Sequence, residues 1–200
     1  MNTRTGLPRR REAALGLTLL LLACGADAPA EGGAGTQETE AVVDLGEPIT
    51  ASGLVIALPA AWNRLEPRSQ MRMLEAEIPG SGGPGEISAY YFGPGGGGGP
   101  AANIERWKSQ VVLDPSAPAP ITQSRESDGV RRTWIELEGT VKASTIGSFP
   151  TTDLPDSALY GAIIEAPGGP WYLRAVGPGA TMREQRQAFL AMLDNARPEG

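Results

Sequence analysis

The sequence predicts a single α+β domain, an antiparallel β-sheet covered by helices, and three observations carry the prediction. Ser69–Ile78 and Glu86–Phe92 alternate apolar with polar residues, the period of half-buried strands. Leu159–Ala166 and Trp171–Val176 flank Pro167-Gly168-Gly169-Pro170 at the spacing of an antiparallel hairpin. Two helical patterns, over Ala101–Val112 and Met182–Ala196, stand far apart in a strand-rich chain, which favours a helix-covered antiparallel sheet.

Each element has its own local reason. Leu54–Leu58 is a short, wholly apolar strand closed by Pro59-Ala60-Ala61-Trp62. In Ser69–Ile78, Leu74, Ala76 and Ile78 share one face and Glu75 and Glu77 the other. Arg72 has the parity of Leu74, so it points inward unless a bulge at Met73 turns it, and an inward arginine needs a carboxylate or carbonyl partner. After Glu86–Phe92, the run from Gly93 to Gly99 with Pro100 reads as a mobile loop. Ile104, Trp107 and Val111 then stack on one face of the helix over Ala101–Val112. A proline-rich loop, Asp114–Pro120, follows it. Arg131–Val141 reads as a longer strand with Ile135, Leu137 and Val141 on one side, and Ser144–Ser157 as a loop. Thr181 and Glu184 have the spacing of a capping box for the last helix, whose buried side is Met182, Phe189, Met192, Leu193 and Ala196.

The amino-terminal region is of a different kind. Arg4 and Arg9 to Arg11 precede a largely apolar run of 11 residues, Ala13 to Ala23. At about 1.5 Å per residue this run is too short to cross a bilayer core of about 30 Å, and it has the layout of a secretory signal. Leu21-Leu22-Ala23-Cys24 resembles the lipobox of bacterial lipoproteins. The resemblance implies cleavage after Ala23 and acylation at Cys24, the only cysteine in the chain. Residues 1–23 are then a signal peptide, 24–46 a lipidated flexible tether of small and acidic residues, and 47–197 the folded domain. Two or more acyl chains make membrane attachment stable. Gly25, where an inner-membrane retention signal has Asp, favours the outer membrane. The expected location is the cell envelope, facing the periplasm or the exterior.

Composition removes whole classes of chemistry. The chain has no histidine, which excludes Ser-His-Asp and Cys-His nucleophile systems and histidine metal sites. Of 17 basic and 23 acidic residues, four arginines and one glutamate lie in 1–23, leaving 13 and 22, a net charge of −9. Such a surface argues against nucleic acid as a partner. Ser-Lys dyads have only Lys108 and Lys142 to draw on, one on a helix's solvent face and one at a strand end. Glu75 with Glu77, and Glu136 with Glu138, sit about 6.5 Å apart along their strands. That falls in the glycosidase range of roughly 5–9.5 Å, but the alternation is that of any solvent-facing strand. Gly93–Gly99 lacks the Gly-Lys-Ser/Thr end of a phosphate loop. No pattern requires a metal or other cofactor. Arg72, Trp62, Trp134 and Trp171 remain as candidate binding residues, the tryptophans forming either a groove or the core.

Element order and the Leu58-Pro59-Ala60-Ala61-Trp62 turn resemble the α/β/α sandwich of PsbP of the oxygen-evolving complex and of mycobacterial LpqN-type lipoproteins. Ser69-Gln70-Met71-Arg72, Tyr91-Phe92-Gly93-Pro94-Gly95-Gly96, Asn103-Ile104-Glu105-Arg106-Trp107 and Gly168-Gly169-Pro170-Trp171 are similar to stretches of an uncharacterised family of bacterial secreted proteins. The second resemblance implies a fold and no activity. The first implies action through protein contacts. The expected function is therefore a lipid-anchored, non-catalytic binding or accessory module of the envelope. It would be attached to the membrane at Cys24 and have an envelope protein as partner. A small-molecule or carbohydrate binder is the alternative, and a carboxylate-based hydrolase ranks below both. The anchor is directly testable: the mature protein partitions into the detergent phase of a phase-separating detergent, and Cys24→Ala moves it to the aqueous phase.

Overall fold

A computed structural model describes residues 42–144 and 149–200, so the signal peptide, Cys24 and most of the tether lie outside the described residues. The described residues belong to one unit, a mostly antiparallel α+β domain. Its strands are β1 (Leu45–Ala51), β2 (Leu54–Pro59), β3 (Asn63–Leu65), β4 (Arg72–Ile78), β5 (Gly85–Tyr91), β6 (Val111–Leu113), β7 (Ile121–Ser127), β8 (Val130–Val141), β9 (Leu154–Ala166), β10 (Gly169–Pro178) and β11 (Arg197–Pro198). β3-β4-β5-β10-β9-β8-β6 form the main sheet in that order, with β7 paired to the first part of β8 and β6 to its last three residues. β1, β2 and β11 form a small second sheet. The predicted β9–β10 hairpin is present, with Trp171 opposite Ile164 and Gly169 opposite Ala166.

Five strands, β1, β3, β6, β7 and β11, had no expectation behind them, and two of these are longer than three residues. β1 begins at Leu45, inside the stretch read as tether, because Leu45 to Ala51 pairs back onto β2 through a turn at Ser52-Gly53, both at positive φ. β7 pairs with β8 through Asp128-Gly129, again both at positive φ, the backbone of a two-residue hairpin turn.

The helices also differ from expectation. α1 (Pro100–Ser109) stops before Val111, because Val111–Leu113 leaves the helix to pair with β8 as β6. The last helix is two: α2 (Gly179–Glu184) and α3 (Arg186–Asn195), parted at Gln185. The capping box does not form. The Thr181 hydroxyl instead accepts from the Gly82 N–H at 3.1 Å and donates to the Gly83 carbonyl at 2.7 Å. Glu184 accepts from the Ser81 N–H at 3.0 Å, so both residues hold the β4–β5 turn.

Each face of the main sheet buries its own apolar cluster. On one face Leu54, Ile56, Leu74, Ile87, Ala162 and Leu173 pack with Met182, Phe189, Met192 and Leu193 of α2 and α3, as the helical spacing predicts. On the other, Ile104 and Trp107 of α1 meet Ile135, Leu137, Leu159 and Ile163. Gly161 makes that contact possible: a Cβ there would stand 2.3 Å from the Trp107 ring. α1 packs on β6, β8 and β9, and so covers only that half of its face.

Three arginines fasten the α2–α3 layer. Arg132, fully buried in β8, donates from Nε to the Leu193 carbonyl at 2.6 Å and from Nη2 to the Ala196 carbonyl. Its Nη1 reaches the Val130 carbonyl at 3.0 Å and the Ser127 hydroxyl at 3.0 Å. These acceptors are oxygens without formal charge. Two of them belong to the carboxyl end of α3, where the helix dipole favours a cation. Arg186 grips Glu136 with two hydrogen bonds, 2.6 and 2.9 Å, and Arg183 meets Glu138 at 2.6 Å. Glu136, only 7% exposed, is therefore not the solvent-facing residue its alternation implies.

Arg132→Lys keeps the charge but loses the fork that reaches five oxygens, the Ser127 carbonyl at 3.3 Å among them. A buried cation so stripped costs about 3 kcal/mol, which lowers the melting temperature by roughly 10 °C in a thermal unfolding experiment.

Candidate functional site

The three candidate tryptophans do not form a groove. Trp62, Trp134 and Trp171 are 5%, 4% and 0% exposed and all belong to the cluster beneath α2 and α3. The Trp62 indole donates to Gln185 Oε1 at 2.9 Å and that of Trp134 to Glu136 Oε1 at 3.2 Å. Trp171 Nε1 is buried without a hydrogen bond. They fill the core: parity on β8 and β10 turns Trp134 and Trp171 towards α2 and α3, and Trp62 joins them from the turn after β2.

Arg72 stands elsewhere. A register irregularity between Arg72 and Leu74 shifts its parity, so its side chain lies on the opposite face from Leu74, with Glu75. Only 8% of that side chain is exposed; it pairs with Glu75, lies 3.9 Å from Glu86, and its guanidinium sits 5.7 Å from the Tyr90 ring centre. The inward orientation predicted from parity is thus overturned by the bulge, while the requirement for a carboxylate partner is met.

Pairing registers lay out the surrounding surface. One row across the sheet runs Glu75, Ser88, Arg174, Gly161, and the next Arg72, Tyr90, Tyr172, Ile163. α1 covers the Gly161 and Ile163 ends of these rows, and the β4–β5 ends lie beside the helix. At one end Arg68 bridges Glu75 at 2.6 Å and Glu86 at 2.5 Å. Burial alone would raise the Glu75 carboxyl, but hydrogen bonds from the Arg68 side chain and N–H and the Arg72 charge hold it below the usual carboxylate range. Glu75, fully buried, is a second carboxylate that alternation misplaced at the surface.

In the middle stands Arg174, whose Nε donates to Gln110 Oε1 at 3.1 Å and Nη1 to the Phe149 carbonyl at 2.6 Å. It has no carboxylate partner among the described residues. Burial pushes its pKa down to about 10, with Tyr90 and Glu86 opposing and the charges of Arg106 and Arg72 adding to the fall. Arg106, exposed on the same flank of α1 as Asn103 and Gln110, donates to Asn103 Oδ1 and likewise has no carboxylate partner among the described residues. Sequence reading missed Arg174, although a charge inside the apolar run Trp171–Val176 was a visible signal.

At the far end Phe92, 43% exposed, stacks parallel to Tyr90 with ring centres 6.2 Å apart. The glycine loop closes this end, and it is tied down rather than free. The Tyr172 hydroxyl donates to the Gly96 carbonyl at 2.9 Å and to that of Gly98, and Asn103 Nδ2 donates to Gly97 at 2.9 Å and Gly99 at 3.1 Å. Gly97 has φ +77° and lies against the Tyr172 ring, where a Cβ would come within 2.4 Å, so both backbone and packing demand glycine. Beside Glu86 a shallow pocket of about 130 Å³ is lined by Leu65, Glu77, Pro84, Gly85 and Phe149.

Glu75 and Glu136 are engaged by arginines, and among the described residues no group of three His, Cys, Asp or Glu side chains is placed to hold a metal ion. No described helix is long and apolar enough to cross a membrane.

Glu75 links this site to stability. Its folded pKa lies below the ordinary 4.5, so its contribution is complete above that pH and is lost as pH falls through the lower folded value. Glu75→Gln costs about 3–5 kcal/mol in urea unfolding at neutral pH. The gap to the wild type narrows well below pH 4.5, where both side chains are neutral.

In comparisons with known proteins, no family model matches the chain and no curated relative matches it.

Proposed function

We propose that this protein is a lipid-tethered module of the bacterial cell envelope that acts by binding rather than by catalysis. Acyl groups on Cys24 hold it at a membrane, with the outer membrane favoured, and the domain faces the periplasm or exterior. Its binding face is the half-sheet beside α1, where Tyr90, Phe92, Arg106 and Arg174 line the surface. The observation that carries the reading is Arg174, part-buried beside α1 with two neutral acceptors and no described carboxylate partner, on the face whose far end carries the half-exposed Phe92. The acidic groups most suited to hydrolysis, Glu75 and Glu136, are occupied by Arg68, Arg72 and Arg186, which favours binding over catalysis. Helices on both faces of an antiparallel sheet support the resemblance to the PsbP-like sandwich. That resemblance in turn supports action through contacts with a partner. A small-molecule or carbohydrate ligand is the second reading, favoured by the shallow pocket beside Glu86.

A photo-reactive phenylalanine analogue placed at Phe92 tests the assignment in intact cells. It yields discrete adducts there, whereas the same analogue at Gln123, exposed on β7, does not. Identical adducts from both positions, or none from either, remove this face from the account.

A further inference from the structure

The connection between β3 and β4, residues 66–71, is exposed at every position. One residue fastens it to the sheet. Arg68 gives its N–H to Glu75 Oε2 at 2.5 Å and its Nε to Glu75 Oε1 at 2.8 Å. Its Nη2 meets Glu75 Oε1 at 2.6 Å and Glu86 Oε2 at 2.5 Å. Among the described residues the one other hydrogen bond of this backbone is local, the Ser69 carbonyl accepting from the Arg72 N–H at 3.1 Å.

The two sides of this fastening are unequal. Glu75 is fully buried, whereas 55% of the Arg68 side chain is exposed. No residue of 66–71 belongs to either apolar cluster, so lifting the segment breaks the contacts of Arg68 and leaves the core covered. Glu75 keeps Arg72 when Arg68 leaves, and the buried carboxylate is never without a cation. Arg72 is then the one described cation within 4.0 Å of Glu75 or Glu86, with Arg174 acting on Glu86 at longer range. Glu77, directly opposite Glu86, makes no ion pair among the described residues. The opened site therefore lacks a cation.

Taking the binding-module reading as its basis, we infer that residues 66–71 are a strap that keeps a guanidinium site shut, and that an arginine side chain of the protein partner replaces Arg68 on Glu75 and Glu86. The chain itself shows which chemistry the site takes. Two nitrogens of one guanidinium reach Glu75, and one of them also meets Glu86. A planar fork spans the pair in this way, and the compact ammonium of a lysine does not. Arg68 competes at the high effective concentration of a group on the same chain. Displacing it therefore requires a partner with further contacts on the face.

Hydrogen exchange on the full mature chain tests the strap. The Arg68 amide exchanges only when it leaves Glu75, and it does so roughly a hundredfold faster than the Leu173 amide of β10, a strand paired on both sides. Glu86→Gln speeds the Arg68 amide about tenfold, with a smaller change at Leu173. Ethylguanidinium probes the site, with ethylammonium as control. It raises the melting temperature of Arg68→Ala saturably, by about 3 °C at about 50 mM, and does not raise that of the wild type, whose site Arg68 fills. The inference is overturned if the Arg68 amide exchanges no faster than Leu173, if Glu86→Gln leaves it unchanged, or if Arg68→Ala fails to fold. It is equally overturned if ethylguanidinium acts alike on variant and wild type, or no better than ethylammonium. Adducts through position 92 in cells, alongside any of these failures, keep the binding face and remove the strap.

Discussion

Arg132 joins three pieces of chain that nothing else in the described structure joins so directly: β8, the β7–β8 turn through Ser127, and the carboxyl end of α3 through Leu193 and Ala196. Taking a guanidinium out of water is expensive, and among the described residues no carboxylate pairs with it. Compensation comes instead from carbonyls at the end of α3, of which that of Leu193 also accepts from the Ala196 N–H at 3.2 Å. Arg186 on Glu136 and Arg183 on Glu138 then fix the same helical layer further along β8. One long strand thus holds α2 and α3 by alternate residues of a single face.

The opposite face follows a different logic, in which a missing side chain does the positioning. Gly161 leaves a recess that receives the Trp107 ring and so seats α1 over β8 and β9. Seated there, α1 reaches Arg174 through Gln110 but extends no further across β5 and β4. The polar half-face is therefore a by-product of where the indole finds room. Its charges pair among themselves at the β4 side and remain unmatched near the helix.

How much of this could be read from the chain depends on whether a residue's neighbours lie on its own element. The alternating strands, the β9–β10 hairpin and the buried side of α3 were legible because their periodicity is local. β7 was not, since six of its seven residues are exposed and no alternation arises, although Asp128-Gly129 was a readable turn signal. The break at Gln185 and the reassignment of Thr181 and Glu184 depend on a loop about a hundred residues earlier, which no local pattern encodes. Glu75 and Glu136 looked like surface residues for the same reason: their arginines come from other segments. For the site, Tyr90 and Phe92 could be singled out as aromatics, but only register shows that Arg174 and Arg72 lie beside them.

The stapled glycine loop bears on kinetics. Tyr172 projects from the sheet and Asn103 from α1, and both grasp the same few carbonyls. The span between helix and strand is therefore fixed by side chains of both elements. For the binding face proposed above, this predicts association with little ordering of backbone, and selectivity expressed in how long a guest stays rather than in how fast it enters.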